Sequence, residues 1–413
     1  MFIIASILLA IAALLSWLSC LYIDYKDKNP LFFLWMLLTL FIYLPLFLNY
    51  KFDLINLDVV IQVLLFAILS QLTYVFSSLF FTGLFNKGSI KLNREIKFFD
   101  YGIKPICVMY LGSLLVYVLL LFSGVGLSQL LNSTFLTKRE IGSLNLVILI
   151  ISAIVLAQSY FVFKSKSIIN IGYYFVFFSV VMLFYKSRSI IILGLLPLIY
   201  YLVFYSQGKK LKYIVCIFIL GPLILLATQL LRALRYQGAL VNFEFNRLVY
   251  DATENIKQLF VEGDFAVIHV FYNIIRDCEF VSWCGDQTLI HSLISLITSL
   301  SGIKTLEYYL YDYYVTPGLN GSLHPTLYGF LYGDFGGYLG FLFFVFLGLL
   351  RSYISTYIID NKFFFIFNGF AMYFCLFMAR GSVYNSIIFL IISFLFLFAL
   401  NLSDSTLFKR KKI

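Results

Sequence analysis

Long apolar runs follow one another along most of this chain, and one long break interrupts them, at residues 232–325. A helix that crosses the lipid core needs about 20 mostly apolar residues. That rule predicts eleven spans, near 1–23, 31–49, 58–82, 104–126, 144–163, 168–185, 189–205, 213–231, 327–350, 363–379 and 383–402. The expected fold is an all-α polytopic membrane protein with about 11 transmembrane helices and one large external loop. Its expected parts are 1–231 (spans one to eight), 232–325 (a loop with amphipathic helices) and 326–413 (three spans and a basic tail). Composition agrees: 62% of residues are hydrophobic and 12% are charged, against about a quarter charged in soluble domains. The N-terminus opens directly into an apolar run, which reads as a retained span and not as a signal peptide.

Lys and Arg favour the cytoplasmic side of short loops. One alternating set of segments carries Lys26, Lys28, Lys87, Lys91, Arg94, Lys97, Lys104, Lys164, Lys166, Lys209, Lys210, Lys212, Arg351, Lys362 and the tail Lys409–Lys412. The expected N-terminus is therefore outside, the C-terminus cytoplasmic and the loop 232–325 external. The net charge of +10 is explained by this topology, so no nucleic-acid partner is expected. Two short external turns break the rule. One holds Lys186 and Arg188 (YKSRS), the other Arg380 (ARGS). Such charges either serve a ligand or snorkel to headgroups.

The loop is acidic overall, yet it begins with Arg232 and Arg235, three apart and on one face of any helix there. Paired guanidinium groups beside lipid headgroups suit phosphate or pyrophosphate, to which they donate bidentate bonds. Anchoring of the preceding span is the plainer alternative. Residues 253–276 have helical apolar spacing, and 288–300 is apolar but too short to cross, so it lies on the membrane or re-enters it. Glu262 and Asp264 flank Gly263 and are the loop's candidate carboxylates for sugar hydroxyls, or else a plain exposed turn. His269 and His291 read as packing or surface residues. The Tyr-dense run 307–314 reads as an interfacial belt more than as a sugar platform. Cys278 and Cys284 are both external, where a disulfide is permitted. No metal-ligand spacing and no nucleotide-binding loop is present, so no cofactor is expected.

The most specific segment is 316–350, TPGLNGSLHPTLYGFLYGDFGGYLGFLFFVFLGLL. His324 precedes Pro325, a good first helical residue, and is expected at the external mouth of the next span. Asp334 is ten residues on, about 15 Å along an unbroken helix. An acid at such depth is costly unless it faces protein or water.

In LNGSLHPTLYGFLYGDFGGYLG, and in the KSRS turn before a Leu/Ile/Pro-rich span, the chain resembles the oligosaccharide repeat-unit polymerases, the Wzy-type O-antigen polymerase family. The resemblance implies a GT-C-like architecture in a bacterial inner membrane. It also implies a metal-independent glycosyltransferase that acts on undecaprenyl-pyrophosphate-linked glycans as donor and acceptor at the periplasmic face. Membrane lipids and a chain-length-regulating membrane protein are the other partners it suggests. Carried onto matching positions, it points to His324, Arg188, Arg232 and Arg235 as catalytic residues. Lys186, Glu262, Asp264, Asp334, Arg380 and Tyr328 are the candidate substrate contacts. An O-antigen ligase and a lipid-linked-oligosaccharide flippase are the rival readings. A solute transporter is disfavoured by the scarcity of ionisable residues in the spans.

Overall fold

The computed structural model describes residues 2–51, 56–86, 105–122, 143–185, 188–205, 267–298, 305–315, 322–361 and 363–410. All regular structure among them is helical. In chain order the helices are α1 (Phe2–Lys26), α2 (Phe32–Leu38), α3 (Leu44–Lys51), α4 (Leu57–Asn86), α5 (Pro105–Phe122), α6 (Ser143–Leu156), α7 (Ser159–Lys164) and α8 (Ile168–Tyr185). Then come α9 (Arg188–Tyr205), α10 (Val267–Asp277), α11 (Thr288–Thr298), α12 (Leu306–Tyr314), α13 (Thr326–Asp334), α14 (Phe343–Tyr353), α15 (Phe364–Arg380) and α16 (Val383–Arg410). Five described stretches are long and apolar enough to cross a membrane: Ile7–Lys26, Leu57–Phe85, Val147–Lys164, Gly337–Ile358 and Val383–Leu402. They make this a multi-pass membrane protein. The span expected at 213–231 lies outside the described residues.

Local sequence explains one irregularity. A π-helical turn, Thr39–Tyr43, joins α2 to α3. Pro45 follows it; its ring cannot donate to Phe41 and crowds that carbonyl, so the helix widens ahead of it.

The chain divides into two compact units. One gathers Met1–Glu95, Lys257–Asn361 and Tyr373–Phe396, and the other Ile96–Ile256, Lys362–Met372 and Leu397–Ile413. In the second unit, small residues let helices approach: Gly112 meets Val155, and Gly369 meets Ala157.

The first unit is built on α4, with α1 and α14 packed along it. Gly348 of α14 lies against Ser77 and Ser78 of α4, where a side chain would not fit. One end of this bundle is locked by charge. The buried Asp24 accepts bonds from Trp35 Nε1 at 3.0 Å, Tyr74 Oη at 2.8 Å and Arg351 Nε at 3.2 Å. Arg351 also reaches Asp27, the Ile23 carbonyl and Thr82. Arg351 counts as a topology-setting charge in the sequence, but it is buried here, paired and bonded throughout. Buried charges persist only in that state.

The segment expected as one span, 327–350, is not one helix. It is a helical hairpin. α13 ends at Asp334, the backbone turns through Gly336 (φ +71°) and Gly337 (φ +85°), and a 3-10 turn, Gly337–Leu342, leads into α14. Gly340 folds back onto Leu331. The two arms run in opposite directions along α4. Tyr328 bonds Gln71, while Tyr332 and Tyr338 pack on Phe66, nearer the start of α4. Beyond the turn, Phe344 meets Ser77, Ser352 meets Ser78, and Tyr357 meets Phe85. Two consecutive positive-φ positions are cheap only for glycine, so the paired glycines set the corner. His324 therefore does not stand at the head of the span Gly337–Ile358. It precedes the far end of a short antiparallel arm, on the side nearer the Asp24–Arg351 cluster.

Candidate functional site

Two residues far apart in sequence come near each other at the far end of that arm, close enough for the charge of Arg380 to act on His324. α15 finishes at Arg380, and Gly381 (φ +99°) closes it. The Gly381 N–H bonds the Met378 carbonyl at 3.0 Å, and the Ser382 N–H bonds that of Phe377 at 2.9 Å, a Schellman turn. The Gly381 backbone lies directly on Thr326: a Cβ there would sit 2.6 Å from the Thr326 carbonyl oxygen and 2.7 Å from its nitrogen. Thr326 itself adopts φ +68°, and its Oγ1 accepts the Gly329 N–H at 3.2 Å, capping α13. His324 and Arg380 are thus carried by two touching turns.

Their electrostatics follow from the contact. Burial, and after it the Arg380 cation, push the His324 pKa down from 6.5 to about 3. The imidazole is neutral at neutral pH, and its buried Nδ1 has no hydrogen-bond partner. Arg380 ends a helix, where the negative end of the dipole favours a cation. A neutral imidazole with an open nitrogen beside a guanidinium suits an anionic ligand that also brings a hydroxyl.

Glu307 opens α12 next to this site and escapes the sequence reading, which treats 307–314 as an aromatic belt. Its carbonyl accepts the Leu323 N–H at 2.9 Å, so the residue before His324 is pinned to it. The side chain is buried and Oε2 has no partner. Burial chiefly raises its pKa, to about 7, and the charge of Asp334 adds to the rise. An acid two residues after Thr305 at a helix start was the available signal; its burial was not visible.

Asp334 and Tyr328, expected as substrate contacts, have protein partners instead. Asp334 is fully buried and caps α11, accepting the Thr288 N–H at 2.8 Å, the Thr288 hydroxyl at 2.5 Å and the Leu289 N–H at 3.1 Å. It is the expected costly acid, made tolerable by facing protein. Tyr328 is fully buried, and its Oη accepts from Gln71 Nε2 at 3.1 Å. Gln71 also bonds Tyr43 and accepts from Ser16 Oγ at 2.6 Å. Neither side chain offers surface to a substrate.

Tyr43 lines an apolar cavity of about 540 Å³ walled by α1, α3 and α4, with Ala13, Trp17 and Leu64 among its residues. Arg188 is the first residue of α9. Its side chain, and all of Lys186, Arg232, Arg235, Glu262 and Asp264, lie outside the described residues. Of the expected loop helix 253–276, the part from Val267 is described and is helical, as α10. His269 is half-buried within it, and His291 is exposed on α11. Cys278 and Cys284 are joined as a disulfide.

No family model matches the chain, and no curated protein or solved structure is similar to it.

Proposed function

We propose that this protein is a polymerase of polyprenyl-pyrophosphate-linked oligosaccharide repeats. It works at the periplasmic face of a bacterial inner membrane, in an eleven-span fold with its N-terminus outside and its C-terminus in the cytoplasm. The observation that carries the reading is the approach of His324 and Arg380, two residues marked independently in the sequence. An ionisable pair inside an apolar bundle is costly and is kept where it serves a ligand.

The chemistry needs little more. Pyrophosphate on an anomeric carbon is already a good leaving group. The acceptor hydroxyl oxygen attacks that carbon, the bond to the pyrophosphate oxygen breaks, and the carbon inverts. The hydroxyl proton passes to His324. Arg380 offsets the charge that gathers on the leaving pyrophosphate. A bound pyrophosphate beside the imidazole raises its proton affinity, so the base strengthens once substrate is in place. Arg188, Arg232 and Arg235 are assigned to the same anion, and Lys186, Glu262 and Asp264 to the glycan. The apolar cavity beside Tyr43 supports a substrate that carries a hydrocarbon chain.

The test is a surface-glycan gel from a host lacking this gene. Wild-type protein is expected to restore a ladder, whereas His324→Ala and Arg380→Ala at equal protein level leave core with a single repeat. Full ladders from both variants would overturn the site. Bare core in the deletion would overturn the polymerase in favour of the ligase or flippase.

A further inference from the structure

Helix α11 turns two large apolar residues outward. Its Leu289 and Ser292 are buried, while Ile290 and Ile294, four residues apart and so on one face, are 40% and 49% exposed, with His291 exposed beside them. Just before it, the Cys278–Cys284 disulfide closes a short loop whose tip, Phe280, is 84% exposed. Isolated apolar residues on a surface need no explanation, but these three lie on adjoining segments welded to the head of a membrane span. The Gly285 N–H bonds the Gly333 carbonyl at 2.8 Å, and the Gln287 N–H bonds that of Asp334 at 2.9 Å. Gly285 also lies against Gly336, with only 3.5 Å left for a Cβ. The Asp334 carboxylate caps α11 itself. The span Gly337–Ile358 starts at once, with Leu339 and Leu342 exposed on it as lipid-facing residues must be.

We infer that α11 and the disulfide loop form an interfacial membrane-seated element, with Phe280, Ile290 and Ile294 inserted at the boundary between lipid headgroups and acyl chains. The occupant of this apolar face is the bilayer. The face belongs to an element bonded directly to the start of a span whose own Leu339 and Leu342 are exposed, and Trp283 anchors the loop inward on Tyr313 and Tyr314. An amphipathic helix too short to cross lies in the interface plane in this way. Because the same element is bonded to the hairpin corner, it fixes the height of α13, and hence of His324, relative to the membrane. The inference does not depend on the reaction proposed above.

The test uses the full chain in phosphatidylcholine vesicles, with Cys107 and Cys216 changed to Ala. Ile290→Cys or Ile294→Cys carries an environment-sensitive fluorophore, and Arg276→Cys on the exposed end of α10 is the aqueous control. Labels at 290 and 294 are expected to emit at shorter wavelength than the label at 276. Nitroxide-bearing lipid should quench them and aqueous iodide should leave them largely unquenched. Phe280→Trp, read by its added fluorescence and quenched by brominated lipid, repeats the measurement without a new cysteine. Iodide quenching equal to that at 276, with no loss to nitroxide or brominated lipid, would overturn the inference.

Discussion

Replacing Gly381 with Ala probes the joint that brings His324 and Arg380 together. The backbone at 381 has φ +99°, where an L side chain costs about 1–2 kcal/mol. The new Cβ would also lie 2.6 Å from the Thr326 carbonyl oxygen, and overpacking of that kind costs about 1–3 kcal/mol. Relief requires the turn after α15 to move off the start of α13, which separates the two side chains. The expected loss is therefore about 3 kcal/mol, read as a drop of several degrees in thermal unfolding in detergent, together with a shortened glycan ladder at equal protein level. The nearest atoms are the nitrogen, carbonyl carbon and oxygen of Thr326, so trimming its side chain gives no space. Thr326→Ala added to Gly381→Ala should leave the defect in place. Unfolding of Gly381→Ala at the wild-type temperature, or rescue by Thr326→Ala, would refute the reasoning.

Asp334→Ala removes three bonds that cap α11 and should cost about 2 kcal/mol. Protease nicking within 278–298 ought to rise with it, and unchanged nicking would count against the clamp. Asp24→Ala leaves Arg351 buried with only part of its partners and should cost about 3–5 kcal/mol in detergent unfolding, while Asp24→Leu with Arg351→Met recovers most of that. Equal losses in the single and double variants would contradict it. For Glu307 the folded pKa is raised, from 4.5 to about 7. Its stabilising contribution is therefore complete below pH 4.5 and is lost as pH rises to about 7, by roughly 1.4 kcal/mol per unit. Glu307→Gln should gain on the wild type between pH 5 and pH 8, and a constant difference across that range would sink the reading.

Apolar runs expose the spans because lipid demands length and hydropathy and little else. Of the expected spans, 31–49 and 144–163 each fall on two helices joined by an irregular turn, and 168–185 and 189–205 on α8 and α9. The hairpin at 327–350 stays hidden for the same reason. Hydropathy runs unbroken through Gly336 and Gly337, and composition does not record a change of direction. Paired glycines next to a buried acid are the mark it leaves. His324 and Arg380 stand out singly, one as a histidine before proline and the other as a charge in a short turn. Their approach depends on two backbones meeting at Thr326 and Gly381, which no local pattern encodes. Asp334 looks functional in the sequence because an acid among glycines is conspicuous, but its oxygens are spent on helix-capping bonds. Glu307 is the converse, an inconspicuous acid whose burial gives it an unusual proton affinity.

The most direct measurement is polymerisation by purified protein in vesicles supplied with polyprenyl-pyrophosphate-linked repeat units. The account predicts a ladder of lipid-linked products from the wild type with no metal added, and single repeats only from His324→Ala and from Arg380→Ala that still unfold at the wild-type temperature. Absence of polymer from folded wild type, or ladders from both variants, would contradict it.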